Sequence, residues 1–142
     1  MSVAEGIALA GVDVDGVTAP RNDGTRRSGL YAVPFTLSRR PDEPWSRLFV
    51  QNWDQPPTFT AMHRRGIARV SGDRVVLDGT TMDEVERVHL ATLKLVVQLT
   101  NQQHGQLVER ESARRAAAEQ ADRLRRQAVD DVARRLRFDD SN

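Results

Sequence analysis

The densest cationic cluster outside the C-terminal third of the chain is His63-Arg64-Arg65-Gly66. Planar guanidinium groups grip carboxylate or phosphate through paired hydrogen bonds, and exposed backbone N–H groups beside them add to the hold. A small anion is the ligand this cluster suits, while a solvated loop is the plainer reading of the same residues. The segment just before it carries Trp45 and Trp53, the only two tryptophans of the chain. Indoles placed this way pack a core, anchor an interface or line a pocket. His63, Arg64, Arg65, Trp45 and Trp53 are therefore the candidate ligand or anion-binding residues.

Other chemistry finds less footing. Asp13-Val14-Asp15-Gly16 resembles the opening of a calcium loop, but the twelfth position of such a loop needs a glutamate and here holds Gly24. The histidines His63, His89 and His104 are too scattered for a metal motif; His89 is expected to border the core and His104, with Gly105, to interrupt a helix. The chain has no cysteine, which removes thiol nucleophiles, thiolate metal sites and disulfides. No Gly-x-Ser-x-Gly elbow, phosphate-binding loop or dinucleotide fingerprint is present. No catalytic set, metal or other cofactor is expected.

The elements that must position these residues follow from hydrophobic period and punctuation. Val3 to Val17 and Leu30 to Leu37 read as two extended segments around the turn-rich Ala19-Pro20-Arg21-Asn22-Asp23-Gly24, and Tyr31, Val33, Phe35 and Leu37 share one face. Pro34 lacks a ladder donor, so this strand is expected at a sheet edge or with a bulge. A short helix follows, capped by Asp42 or Glu43, with Pro44 in its first turn and Trp45, Leu48, Phe49 and Trp53 on one stripe; Pro56-Pro57 ends it. Ile67 to Ser71 and Arg74 to Leu77 read as a hairpin turning at Ser71-Gly72-Asp73, with Asp78-Gly79 closing the second strand.

Thr81-Met82-Asp83-Glu84 is a capping box, and the helix it opens carries Met82, Val85, Val88, His89, Leu93, Val96 and Leu99 on a broad apolar face. The order ββαββα predicts an α+β fold: a two-layer sandwich, an antiparallel sheet with helices on one face, followed by a long, charged C-terminal helix. We divide the chain into a head, residues 1–104, and an extended helical tail, residues 105–142. From Gln106 to Arg137 there is no proline or glycine, and Ala, Arg, Glu and Gln dominate. Ala117, Ala121, Leu124, Ala128, Val132 and Leu136 form a stripe at spacings of 4, 3, 4, 4 and 4, with Phe138 near its end. That is thinner than a core face and too irregular for a long heptad coiled coil.

Charge and composition bound the partners. Twenty of the 21 basic residues are arginine, a bias spread along the chain as a GC-rich genome would produce. Against 20 acidic residues the net charge is +1, and neither part has the basic excess that phosphate contacts favour, so nucleic acid is disfavoured. Acidic Glu5 stands where a signal peptide carries basic charge, and no apolar run reaches the roughly 18 residues of a membrane helix. The expectation is a chain of the cytoplasm that does not enter a membrane.

These readings combine into an expected function. The leading one is a non-enzymatic interaction or assembly protein whose helical tail mediates self-association, most simply as a homodimer, or docks another protein. Leu124, Ala128, Val132 and Leu136 are its candidate interface. The alternative is a small-molecule-binding or enzymatic domain with a pocket between the sheet and the Trp45/Trp53 helix.

Overall fold

A computed structural model describes residues 6–136, so the expectations for Val3, Glu5 and Phe138 lie outside the described residues. The chain divides into two units, Met1–Gly105 and Gln106–Asn142.

In the first unit β1 (Leu9–Val12), β2 (Tyr31–Leu37), β3 (Ala68–Ser71) and β4 (Arg74–Thr80) form one antiparallel sheet in the order β1-β2-β4-β3. Helix α1 (Glu43–Asp54) separates the two hairpins. After β4 the chain enters α2 (Met82–Glu84), winds through a π-helical turn (Val85–His89) and continues as α3 (Leu90–Arg135). This is the α+β fold with a long C-terminal helix that the element order predicts.

The helices pack on one face of the sheet because the strands put their largest apolar residues there. Val33 lies opposite Leu77 and Phe35 opposite Val75. All four are buried in one cluster with Trp45, Phe49 and Trp53 of α1 and Val85, Leu93, Val96 and Val97 of the last helix. Asp42 caps α1 by accepting from the Trp45 N–H at 2.9 Å, and Pro44 sits in the first turn, where no intrahelical donor is needed. Asn101 of α3 ties three elements together. Its Oδ1 accepts from the Ile7 N–H and from Trp45 Nε1, each at 2.9 Å, and its Nδ2 donates to the Ile7 carbonyl at 2.8 Å.

Four expectations change. First, β2 is an inner strand, not an edge, although it contains Pro34. The Pro34 carbonyl faces the β1 side, where it accepts from the Asp13 N–H at 2.9 Å. N–H and C=O of one strand residue point the same way, so the missing donor faces chain that has already left β1 for a 3-10 turn at Val14–Gly16, and no ladder bond is lost. Gly16 lies against the proline ring, where a Cβ would come within 2.8 Å of Pro34 Cγ. Second, the first segment is a strand only over Leu9–Val12, shortened by that turn.

Third, β4 does not close at Asp78-Gly79 but runs to Thr80. The register slips between the pairs Ala32–Asp78 and Tyr31–Thr80, which leaves Gly79 as the extra residue of a bulge, at a φ of 128° that favours glycine. Fourth, His104 and Gly105 do not interrupt the helix: α3 continues through both. A single glycine costs a helix only about 1 kcal/mol relative to alanine, and His104 Nε2 lies 2.9 Å from the Asp42 carboxylate.

In the second unit the helix continues from Gln106 to Arg135, and every residue from 106 to 136 except the half-buried Asp122 is exposed. Side-chain pairs one turn apart support it: Arg114–Glu111, Arg125–Asp122, Arg126–Asp122 and Arg134–Asp130.

Candidate functional site

The main concentration of polar chemistry in the first unit lies where the end of α1, the loop before β3 and the start of the last helix meet. Glu84 is its centre. The Thr81 hydroxyl accepts from the Glu84 N–H at 3.1 Å, which is one half of the expected capping box. The other half is not made, because the Glu84 carboxylate turns inward. It accepts from Arg64 Nε and Nη2, each at 2.8 Å, and from Thr80 Oγ1 at 2.8 Å. This fork-to-fork pair pulls the carboxyl down to about 2, against its burial and with help from Thr80.

His89 is fully buried, deeper than the border position expected of it, and its Nε2 lies 3.5 Å from Glu84 Oε1. Residues five apart on an α-helix sit about 140° apart around the axis. The i→i+5 bonding of the π-helical turn between them brings Glu84 and His89 toward one line. Neither His89 nitrogen has a hydrogen-bond partner within the described protein. Burial therefore pushes the imidazole below its ordinary range, although Glu84 pulls the other way.

Trp53 closes the cluster from α1. Its ring lies 4.6 Å from His63 and 5.6 Å from His89, centroid to centroid, and its Nε1 donates to the Arg64 carbonyl at 2.8 Å. His63 Nε2 stands 2.7 Å from the Trp53 carbonyl. A carbonyl only accepts, so this nitrogen carries a proton and donates, while Nδ1 is buried without a hydrogen-bond partner within the described protein. Phe59 stands edge-on to the same ring at 5.4 Å, and Asp54 accepts from the Gly66 N–H at 2.8 Å, holding the loop to the end of α1.

The structure thus brings His63, Arg64 and Trp53 together and leaves Arg65 exposed and Trp45 at the far end of α1, stacked on Phe49. The guanidinium that the sequence offers to an anion is held by Glu84. Both indoles are buried in the packing between α1 and the sheet, where the alternative reading places its pocket. Chemically the cluster has the makings of an acid–base relay, two imidazoles and a carboxylate, but its carboxylate is clamped by Arg64 and one imidazole is sealed from solvent. Its geometry is that of a clasp joining loop to helix. Sequence reasoning did not assign Glu84, Thr80 or His89 to it. The available signal was the acidic run of Asp83, Glu84 and Glu86 at a helix start, and the capping box already gave Glu84 another role. Among the described residues, no group of three or more His, Asp or Glu side chains is placed to hold a metal ion, and no helix is long and apolar enough to cross a membrane.

The candidate interface residues lie in the second unit. Leu124, Val132 and Leu136 are 59%, 43% and 56% exposed, and Ala128 is exposed with them. Spaced by four, these side chains make a single ridge along the helix surface. No protein family, curated protein or solved structure matches the chain.

Proposed function

We propose that this chain is a non-enzymatic assembly protein, with a folded α/β head and a C-terminal helix that self-associates as a homodimer. The exposed ridge of Leu124, Ala128, Val132 and Leu136 carries this reading. Helices owe most of their stability to burying a face, and propensity with surface ion pairs alone holds one only marginally. Burying a leucine or valine fully is worth about 1.5–3 kcal/mol. Leu124, Val132 and Leu136 from two copies together oppose the roughly 4–15 kcal/mol of freedom lost on association. A surplus of about 8 kcal/mol falls within these ranges and corresponds to a reversible dimer on the order of micromolar. Twofold symmetry is the commonest closed arrangement and needs only this one surface.

Light scattering on the full-length chain and on residues 1–105 tests the proposal. The expected result is a dimer that becomes a folded monomer on truncation. A full-length monomer at tens of micromolar would overturn self-association, and a truncated dimer would move the interface to the head.

A further inference from the structure

Resting on the self-association reading, we infer that the two tail helices associate in parallel and in register, guided by oppositely charged rows on either side of the apolar ridge. The spacing that fails a heptad fits another period. Ala113, Ala117, Ala121, Leu124, Ala128 and Val132 follow at 4, 4, 3, 4 and 4, so the pattern returns after eleven residues, and Leu136 of the exposed ridge falls at the edge of this stripe. Eleven residues over three turns is 3.67 per turn, which keeps a stripe almost straight along the helix and lets two helices stay in contact with only slight right-handed winding. The seam is therefore continuous through Leu124 and Val132, both exposed within this unit.

The flanking rows repeat with the same period. On one side of the seam stand Glu109, Gln120 and Asp131; on the other stand Arg114, Arg125 and Leu136. One row carries only negative charge and the other only positive. When two identical helices lie parallel about a twofold axis along their length, each flank meets the opposite flank of the other copy, as g and e positions do in parallel coiled coils. Glu109 then faces Arg114 of the second copy, and Gln120 faces Arg125, five residues further along. An antiparallel pair sets each flank against itself, acid on acid and guanidinium on guanidinium. Within one helix Arg114 and Arg125 pair with Glu111 and Asp122 at 2.8 and 2.9 Å, but these exposed contacts are weak and yield to a partner at little cost.

The absence of cysteine makes the test direct, because one introduced thiol is unique. Ala117→Cys and Ala128→Cys both lie on the seam, and Arg126→Cys lies on the opposite face as a control for random collision. In a parallel, in-register dimer each seam variant oxidises to a disulfide-linked homodimer by itself. A mixture of the two, one carrying a mass tag, gives no more mixed product than the control. Dominant mixed product, or seam variants that cross-link no better than Arg126→Cys, would overturn the parallel arrangement while light scattering still reports a dimer. A monomer by light scattering would instead remove the self-association on which it rests. Charge exchange gives a second reading: Glu109→Arg weakens the dimer severalfold, and adding Arg114→Glu restores it. A Glu109→Arg variant that dimerises as the parent does would also overturn the inference.

Discussion

Arg64 and Glu84 are joined by two hydrogen bonds of 2.8 Å across twenty residues of chain, and this pair fastens the loop before β3 to the first turn of the last helix. Removing one partner leaves the other charge partly buried and unpaired, which costs more than the pair itself is worth. Arg64→Ala should lower stability by about 1–3 kcal/mol. Urea denaturation measures it, and an unchanged midpoint would show that the clasp contributes nothing.

The same carboxylate fixes the response to acid. Its folded value, about 2, lies below the ordinary 4.5, so the folded state binds this proton less readily than the unfolded chain. The resulting stability is fully present above about pH 4.5 and is lost as pH falls toward 2. Thermal melts between pH 5 and 2 should fall steeply in the parent and less steeply in Glu84→Gln.

His89 acts in a higher window. Its folded pKa is lowered by burial, so the unfolded chain takes up the proton first, and stability present above about pH 6.5 is lost as pH falls below it. Replacing the imidazole by an apolar ring of similar size removes the titration. His89→Phe should flatten the dependence of melting temperature on pH between 7.5 and 5.5, and parallel curves for the two proteins would contradict the assignment.

Trp53 is fully buried and holds the Arg64 carbonyl as well as both imidazoles. Trp53→Ala should cost about 3–5 kcal/mol, which approaches the whole stability of a small domain. Asn101→Ala removes the partners of Ile7 and Trp45, and should cost about 1–3 kcal/mol. Chemical denaturation separates the two, with the larger shift expected for Trp53.

For assembly, Leu124→Asp combined with Val132→Asp places charge on the exposed ridge of the second unit. The expected outcome is a loss of dimer mass in light scattering with the head's melting temperature unchanged. A drop in that melting temperature would show that the helix supports the head, which is a different role.

Local chemistry made much of this molecule legible in advance. The Asp42 cap and Pro44, the Pro56-Pro57 stop, the Ser71-Gly72-Asp73 turn and the unbroken helix formers after Gln106 each act within a few residues, so the sequence carries them openly. The face shared by Val33, Phe35 and Leu37 was legible for the same reason, since a period of two needs no distant partner.

What the sequence by itself determined was therefore the type and order of the elements and which faces they bury. Only the tertiary structure decided who partners whom. Pro34 could be read as an edge signal because the chain does not say that β1 ends one residue before the missing donor would matter. Glu84 could be read as a cap because nothing local reveals that Arg64 arrives from twenty residues upstream. His89 could be placed at the border because its depth depends on Trp53 and on a π-helical turn that rotates it toward Glu84. In each case a short-range rule was valid but a long-range contact offered the same group a stronger partner, and such contacts exist only once the chain has closed on itself.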